Sequence, residues 1–374
     1  KALLRGAGTI ALLSGWLLEP FGYSRLPIID IRMTTAPGLV FASGLPKVGD
    51  AWRLAGTNLR FAGYTVLGRL DLQDLAVPLP GSLRPGEKKG DGVLRLALLD
   101  GFNAGERANL VDWVQRTAEA EANYWQGFTA KQMLVVLVPV PSRRGIGYGR
   151  TVPGGGPTVM IEVGADMDQR RLFGDWVLVH ELIHTGMAFI RGRSTWFMEG
   201  AATYVEPIIR ARAGWKTEEE VWREWVSDMP QGVRAFARGM GEASGRENYW
   251  GGALFMLMAD VEIRRATDGA KGLEDCLGGV LWSGLDGSQR ATLDAYAAIC
   301  DRATGTTALR SLIDRYVVAA RSVDLATVWR DLGIAMVGNR IVFDDAAPDA
   351  RWRKMIVMGP PGRPARKVPL PWGP

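Results

Sequence analysis

The chain has 374 residues, 47% hydrophobic and 23% charged, which excludes a generally disordered or polytopic membrane protein and suffices for about two to three domains. Its 45 basic and 40 acidic residues give a formal charge of +5, too small and too dispersed an excess to imply a nucleic-acid partner. Only 2 histidines are present, His180 and His184, so no site can be built from three histidines of one chain.

At the start, Lys1 and Arg5 precede the apolar stretch Gly6 to Leu18, which has the length of a signal-peptide core and is too short to cross a bilayer. Residues 1–25 are therefore read either as the remains of an export signal or anchor, or as the first strand or helix of the fold. No other apolar run is long enough to suggest a span, so no transmembrane helix is expected in the main body. A periplasmic, secreted or cell-envelope location is favoured over a cytoplasmic one. Residues 26–101 read as a β-rich accessory domain, with apolar segments such as Leu59 to Leu67 and Val93 to Leu99. Turns are expected at Pro80-Gly81, Pro85-Gly86, Asp91-Gly92 and Asp100-Gly101.

Residues 102–335 form the next expected domain. From Asn103 to Gln126 the stripe Leu110, Trp113, Val114 and Ala118 predicts a helix, and Met133 to Val140 reads as a buried strand. Gly145-Ile146-Gly147-Tyr148-Gly149 lacks the Gly-Lys-Ser/Thr ending of a nucleotide loop and is read as a flap or a plain solvent loop. The glycine-rich Gly154-Gly155-Gly156-Pro157 leads into a second strand, Thr158 to Val163. Helices are then expected near 167–187, 197–213, 217–228, 250–267, 307–320 and 322–332. The acidic run Glu218 to Glu220 marks a helix start, because Thr217 with Glu220 makes a capping box at the positive end of the dipole. Residues 336–374 close the chain with a Pro-rich tail, Gly359 to Pro374, expected to be extended or disordered. Its cations, Arg351, Arg353, Lys354, Arg363, Arg366 and Lys367, are read as solvated charges, with an anionic-surface contact as the alternative. Cys276 and Cys300 have no metal-ligand spacing; they form either one disulfide or two buried thiols.

The two histidines frame His180-Glu181-Leu182-Ile183-His184. On a helix, positions i and i+4 share a face, so both imidazoles can reach one metal ion with Glu181 beside them, the metallopeptidase H-E-x-x-H arrangement. Leu172, Trp176, Val179 and Ile183 supply the apolar stripe, Asp168 a cap and Gly186 a stop. A catalytic zinc takes three protein ligands and leaves a position for water. With no histidine left, the third ligand has to be a carboxylate.

Downstream, Trp196-Phe197-Met198-Glu199-Gly200-Ala201-Ala202-Thr203-Tyr204-Val205-Glu206 resembles the Trp-x-x-Glu-Gly-x-Ala-x-Tyr stretch of the gluzincin peptidases, especially the zinc aminopeptidases and the glycyl aminopeptidase group. The resemblance implies Glu199 as third ligand of one Zn²⁺ ion, Glu181 as general base, and Glu206 as an acidic group orienting an imidazole; a cap or surface pair is the plainer reading of Glu206. Tyr249-Trp250-Gly251-Gly252-Ala253 is similar to the Tyr-x-Lys-Gly-Ala stretch of the same families, with Gly251 in place of the lysine. That likeness implies Tyr249 as the donor to the tetrahedral intermediate. The strand after the glycine loop is, by the same resemblance, the edge at which a peptide pairs, with Gly155, Gly156 and Thr158 as substrate contacts. The Gly-x-Met-Glu-Asn motif that holds a free amine is absent, and Glu162 is the candidate substitute; aminopeptidase and endopeptidase specificity both stay open.

The expected fold is α+β, a β-rich N-terminal domain followed by a thermolysin-like, mainly helical zinc-peptidase domain. The expected function is hydrolysis of peptide or protein substrates by metal-activated water. The alternatives are a peptidase-like binding module without activity and a zinc hydrolase of a non-peptide bond.

Overall fold

A computed structural model describes residues 3–5, 8–77, 92–165, 167–190, 192–361, 363 and 366–373. Lys1, Gly6 and the turns read at Pro80-Gly81, Pro85-Gly86 and Asp91 lie outside them. The chain divides into two compact units, the first Lys1–Ala122, Gln126–Ala188 and Asp286–Gln289, the second Asn123–Trp125, Phe189–Leu285 and Arg290–Pro374.

The first unit begins with strands β1 (Leu3–Arg5), β2 (Gly8–Leu12), β3 (Ile29–Ile31), β4 (Val40–Ser43), β5 (Lys47–Val48), β6 (Ala51–Leu54), β7 (Tyr64–Gly68), β8 (Leu70–Ala76) and β9 (Val93–Leu99). Helix α1 (Ala104–Trp125), β10 (Gln132–Arg144), β11 (Ile146–Val152), β12 (Thr158–Ala165), α2 (Gln169–Gly174) and α3 (Val177–Ile183) come next. The strands form a four-stranded sheet in the order β1-β2-β7-β4, a three-stranded sheet β3-β6-β5 and a five-stranded sheet β11-β12-β10-β9-β8. In the last, β9, β10 and β12 run parallel, while β8 and β11 are the antiparallel edges. Leu134, Val136 and Val138 of β10 and Met160 of β12 pack with Ile10, Tyr64 and Val66 of the four-stranded sheet. The α1 stripe Leu110, Trp113, Val114 and Ala118 is buried as expected, and Asn103 with Glu106 closes a capping box at its start.

Two sequence expectations change here. The division at 101/102 is not where the compact units part: β8 and β9 pair into the same sheet as β10 and β12, so backbone hydrogen bonds join the accessory segment to the strands beyond α1. Leu59 to Leu67 is only partly strand, because Gly56–Phe61 winds into a 3₁₀ turn that buries Leu59.

The second unit contains β13 (Phe189–Ile190), α4 (Thr195–Ala213), α5 (Glu218–Asp228), α6 (Val233–Arg238), α7 (Arg246–Ala266), α8 (Leu273–Trp282), β14 (Arg290–Ala291), α9 (Leu293–Thr304), α10 (Ala308–Ile313), α11 (Leu325–Asp331), β15 (Ile334–Val337), β16 (Arg340–Phe343) and α12 (Ala350–Met358). Thr217 and Glu220 make the expected capping box on α5. Helices α6, α8, α9 and α12 are additions to the sequence reading. Cys276 of α8 and Cys300 of α9 form a disulfide.

The C-terminal tail is extended where it is described, and it is tied down: Val368 is buried, its N–H donates to Ala213 O, and its carbonyl accepts from Trp215 Nε1. Arg363 pairs with Asp275, Arg351 with Asp268, and Lys367 Nζ donates to Ala211 O, so these cations are engaged within the unit. No helix among the described residues is long and apolar enough to cross a membrane. The architecture is mixed α+β, β-rich at the N-terminal side and helical towards the C-terminus.

Candidate metal centre

The expected helix 167–187 is broken. Asp168 caps α2 by accepting from Arg171 N, and at Asp175 the backbone turns extended. The Asp175 carboxylate then accepts from Val177 N at 2.8 Å and starts α3 in place of Asp168. Helix α3 has 7 residues, too short to persist on propensity alone. It carries His180 and Glu181, and His184 opens the 3₁₀ turn His184–Gly186. The two imidazole rings are 5.0 Å apart and nearly perpendicular at 82°, with the edge of Trp176 at 5.1 Å from His180. Below them Thr185 is fully buried; its hydroxyl donates to Leu182 O and lies 2.6 Å from that of Thr129.

Glu199 lies in the second turn of α4. His180 and His184 belong to the first compact unit and Glu199 to the second. Two imidazole nitrogens and a carboxylate oxygen are the donor set of a catalytic zinc, so the residues fit the ion that the sequence pattern requires.

Helix α4 is positioned by close backbone approach and a buried ionic network. A Cβ at Gly200 would overlap the backbone of Gly252, and one at Gly252 would overlap Trp196 O, so only glycine allows α4 and α7 to cross there. Four residues beyond Gly200, Tyr204 donates to Asp260 at 2.9 Å. Asp260 pairs with Arg264 at 2.9 Å, and Arg264 with Glu274 at 2.8 Å, all fully or nearly buried. Burial pushes the Asp260 carboxyl up against the pull of Arg264. Burial acts the same way on Glu274 but is outweighed by Arg264 and Arg212, which bring it to about 2.

Tyr249 stands in the first turn of α7, 36% exposed. The glycine found at 251 where the resemblance implies lysine has a packing reason. The 3₁₀ turn Met229–Gly232 runs against it, with Gly232 O at 3.0 Å from where a Cβ would sit. Glu206 is buried and accepts from Arg210 at 3.0 Å on its own helix; burial raises its carboxyl, with Arg210 and Lys216 opposing. It is thus neither a cap nor a surface pair, and its described partner is a guanidinium.

The expected edge strand is misplaced in the sequence reading. β12 lies between β11 and β10, so it has no free edge, and Thr158 is fully buried. Gly156 is buried where a Cβ would overlap Gly44 O, and Gly155 has φ +76° with Leu45 close by; both serve the packing of the loop. Glu162, also on β12, lies 3.5 Å from Arg143. The edge is β11, built from the segment read as a loop: Gly145, with φ +72°, makes the turn, and Ile146 onward pairs with β12. This strand holds residues that the sequence reading missed. Thr151 Oγ1 lies 2.7 Å from Glu181 O and 2.8 Å from Glu181 Oε2. A Cβ on Gly149 would sit 2.8 Å from Glu181 Cγ. Alternation of Gly149 and Thr151 toward one side was the available signal.

No family model matches the sequence, and no curated protein matches it. Among solved structures, an aminopeptidase N family protein from Idiomarina loihiensis superposes with a TM-score of 0.66 at 15% identity, covering 89% of this chain and 62% of its own. The fold is aminopeptidase N-like. The aminopeptidase A of Legionella pneumophila, solved in complex with aspartic acid, gives a TM-score of 0.51 at 12% identity over 84% of this chain and 38% of that one. The chain thus spans less than two thirds of either protein.

Proposed function

We propose that the protein is a zinc metallopeptidase of the gluzincin type, in which His180, His184 and Glu199 hold one Zn²⁺ ion. The observation that carries this reading is the pattern His180-Glu181-Leu182-Ile183-His184 on and just after one helix, followed by Glu199 in a Trp-x-x-Glu-Gly stretch on another. When bound, such an ion supplies Lewis acidity that polarises a scissile carbonyl and acidifies water. Glu181 accepts the proton of the attacking water and returns it to the leaving amine, work worth about 10² to 10⁴ in rate. Thr151 holds the backbone and carboxylate of Glu181 in place for this transfer. Tyr249 donates its phenolic proton in a hydrogen bond to the developing oxyanion, a contribution of about 10² to 10³. The substrates are peptides or proteins. The identities of both structural neighbours as aminopeptidases support peptide hydrolysis, whereas the choice between exo- and endopeptidase rests on the substrate side. The Cys276–Cys300 disulfide supports an oxidising, extracytoplasmic compartment.

Metal analysis combined with peptide-library digestion tests the proposal. One zinc per chain and chelator-sensitive cleavage are expected, and Glu181→Gln should retain the zinc while losing about 10² to 10⁴ in kcat. Metal-loaded protein that cleaves no peptide, or a Glu181→Gln variant with full activity, overturns it.

A further inference from the structure

β11 is an edge strand whose outer backbone groups have no strand partner among the described residues, and such an edge templates an extended peptide. Its side chains alternate. Gly149 and Thr151 face α3 and touch Glu181, which puts Tyr148 and Arg150 on the opposite face. There Arg150 pairs in register with Met160, a neighbour of Tyr64 in the same apolar cluster. Burial pushes the Tyr64 phenol up, and the positive charge of Arg150 nearby opposes that rise.

Arg150 is exposed. Other arginines of this unit are neutralised by carboxylates: Arg53 by Asp30, Arg60 by Glu19, Arg95 by Asp74. Arg150 has no carboxylate partner among the described residues. A cation one residue from the groups that contact Glu181, flanked by the half-exposed Tyr148 ring, is a receptor for an anion with an apolar stem.

We infer that Arg150, with Tyr64 and Tyr148, forms a carboxylate-binding subsite on the edge strand, selecting peptides that carry a carboxylate within one or two residues of the scissile bond. The source is an Asp or Glu side chain or the free C-terminus. The inference rests on the peptidase reading for its place in catalysis, but binding alone reports on it.

Matched peptides differing as Asp against Asn, Glu against Gln and free against amidated C-terminus test it on the zinc-loaded protein. kcat/KM should favour the carboxylate member by about 10- to 100-fold, the usual range for a charge-assisted hydrogen bond. Arg150→Ala should abolish that ratio, Arg150→Lys should restore part of it, and Arg150→Glu should invert it toward lysine-bearing peptides. Loss on Asp→Asn or Glu→Gln exchange identifies a side-chain carboxylate; loss on amidation identifies the terminus. Calorimetric binding of the same peptides to Glu181→Gln gives a readout without turnover. Arg150-dependent carboxylate binding by a protein that cleaves nothing upholds the subsite and removes the peptidase proposal. Cleavage with equal kcat/KM for carboxylate and amide peptides, or a preference unchanged in Arg150→Ala, overturns the subsite.

Discussion

Helix α3 with the turn that follows it, and helix α4, carry the candidate ligands and are held by opposite means. α3 is short and takes its order from outside: Asp175 starts it, Thr151 grips Glu181, Thr129 meets Thr185, and Gly287 N donates to Thr185 O at 2.9 Å. α4 spans 19 residues, with Pro207 inside it, and takes its place from the core, through the Gly200–Gly252 crossing and the Tyr204–Asp260–Arg264–Glu274 chain. Directional hydrogen bonds fix a seven-residue element well but stabilise it little. Close packing and buried charge fix a long one with a large stake in the stability of the whole unit.

Substitutions can break either side of this contrast. The largest loss of stability is expected from Arg264→Met, which leaves Asp260 buried without its cation and Glu274 with Arg212 alone, at about 3 to 5 kcal/mol; denaturant unfolding measures it, and a loss under 1 kcal/mol would contradict the network's role in placing α4. Reducing Cys276–Cys300, 24 residues apart in sequence, should cost roughly 3 kcal/mol by loop-closure entropy, read as a fall in thermal midpoint with reductant. Gly200→Ala forces α4 from α7 and should cost about 1 to 3 kcal/mol; zinc affinity should fall with it, because Glu199 is the adjacent residue. The smallest stability effect belongs to Thr151→Val, about 1 kcal/mol, and here kcat should drop more than the unfolding energy implies. If Thr151→Val lowered stability and left kcat intact, the hydroxyl would be a fastener for α3 with no part in positioning Glu181.

Legibility in the sequence was a matter of range. His180, Glu181 and His184 could be read because i to i+4 geometry is local, and the cap at Thr217 because three-residue spacing is local too. Which strand forms the sheet edge depends on pairing between β11, β12 and β10, and the glycines at 145, 147 and 149 hide a strand that has few side chains to display a period. Asp260 and Arg264 look like an ordinary exposed i, i+4 pair; only tertiary packing buries them and adds Glu274. The break in the expected helix at Asp175 was concealed by the continuity of the apolar stripe.

The free edge of β11 has a second physical consequence. An unpaired strand rim attracts the same rim on another copy and so starts aggregation. In an encounter of two such edges, the exposed Arg150 of each copy adds like charge, and Gly145, Gly147 and Gly149 offer little apolar surface to reward the contact. A guanidinium on this edge therefore disfavours its pairing with a second copy of itself while leaving it open to chains that bring negative charge.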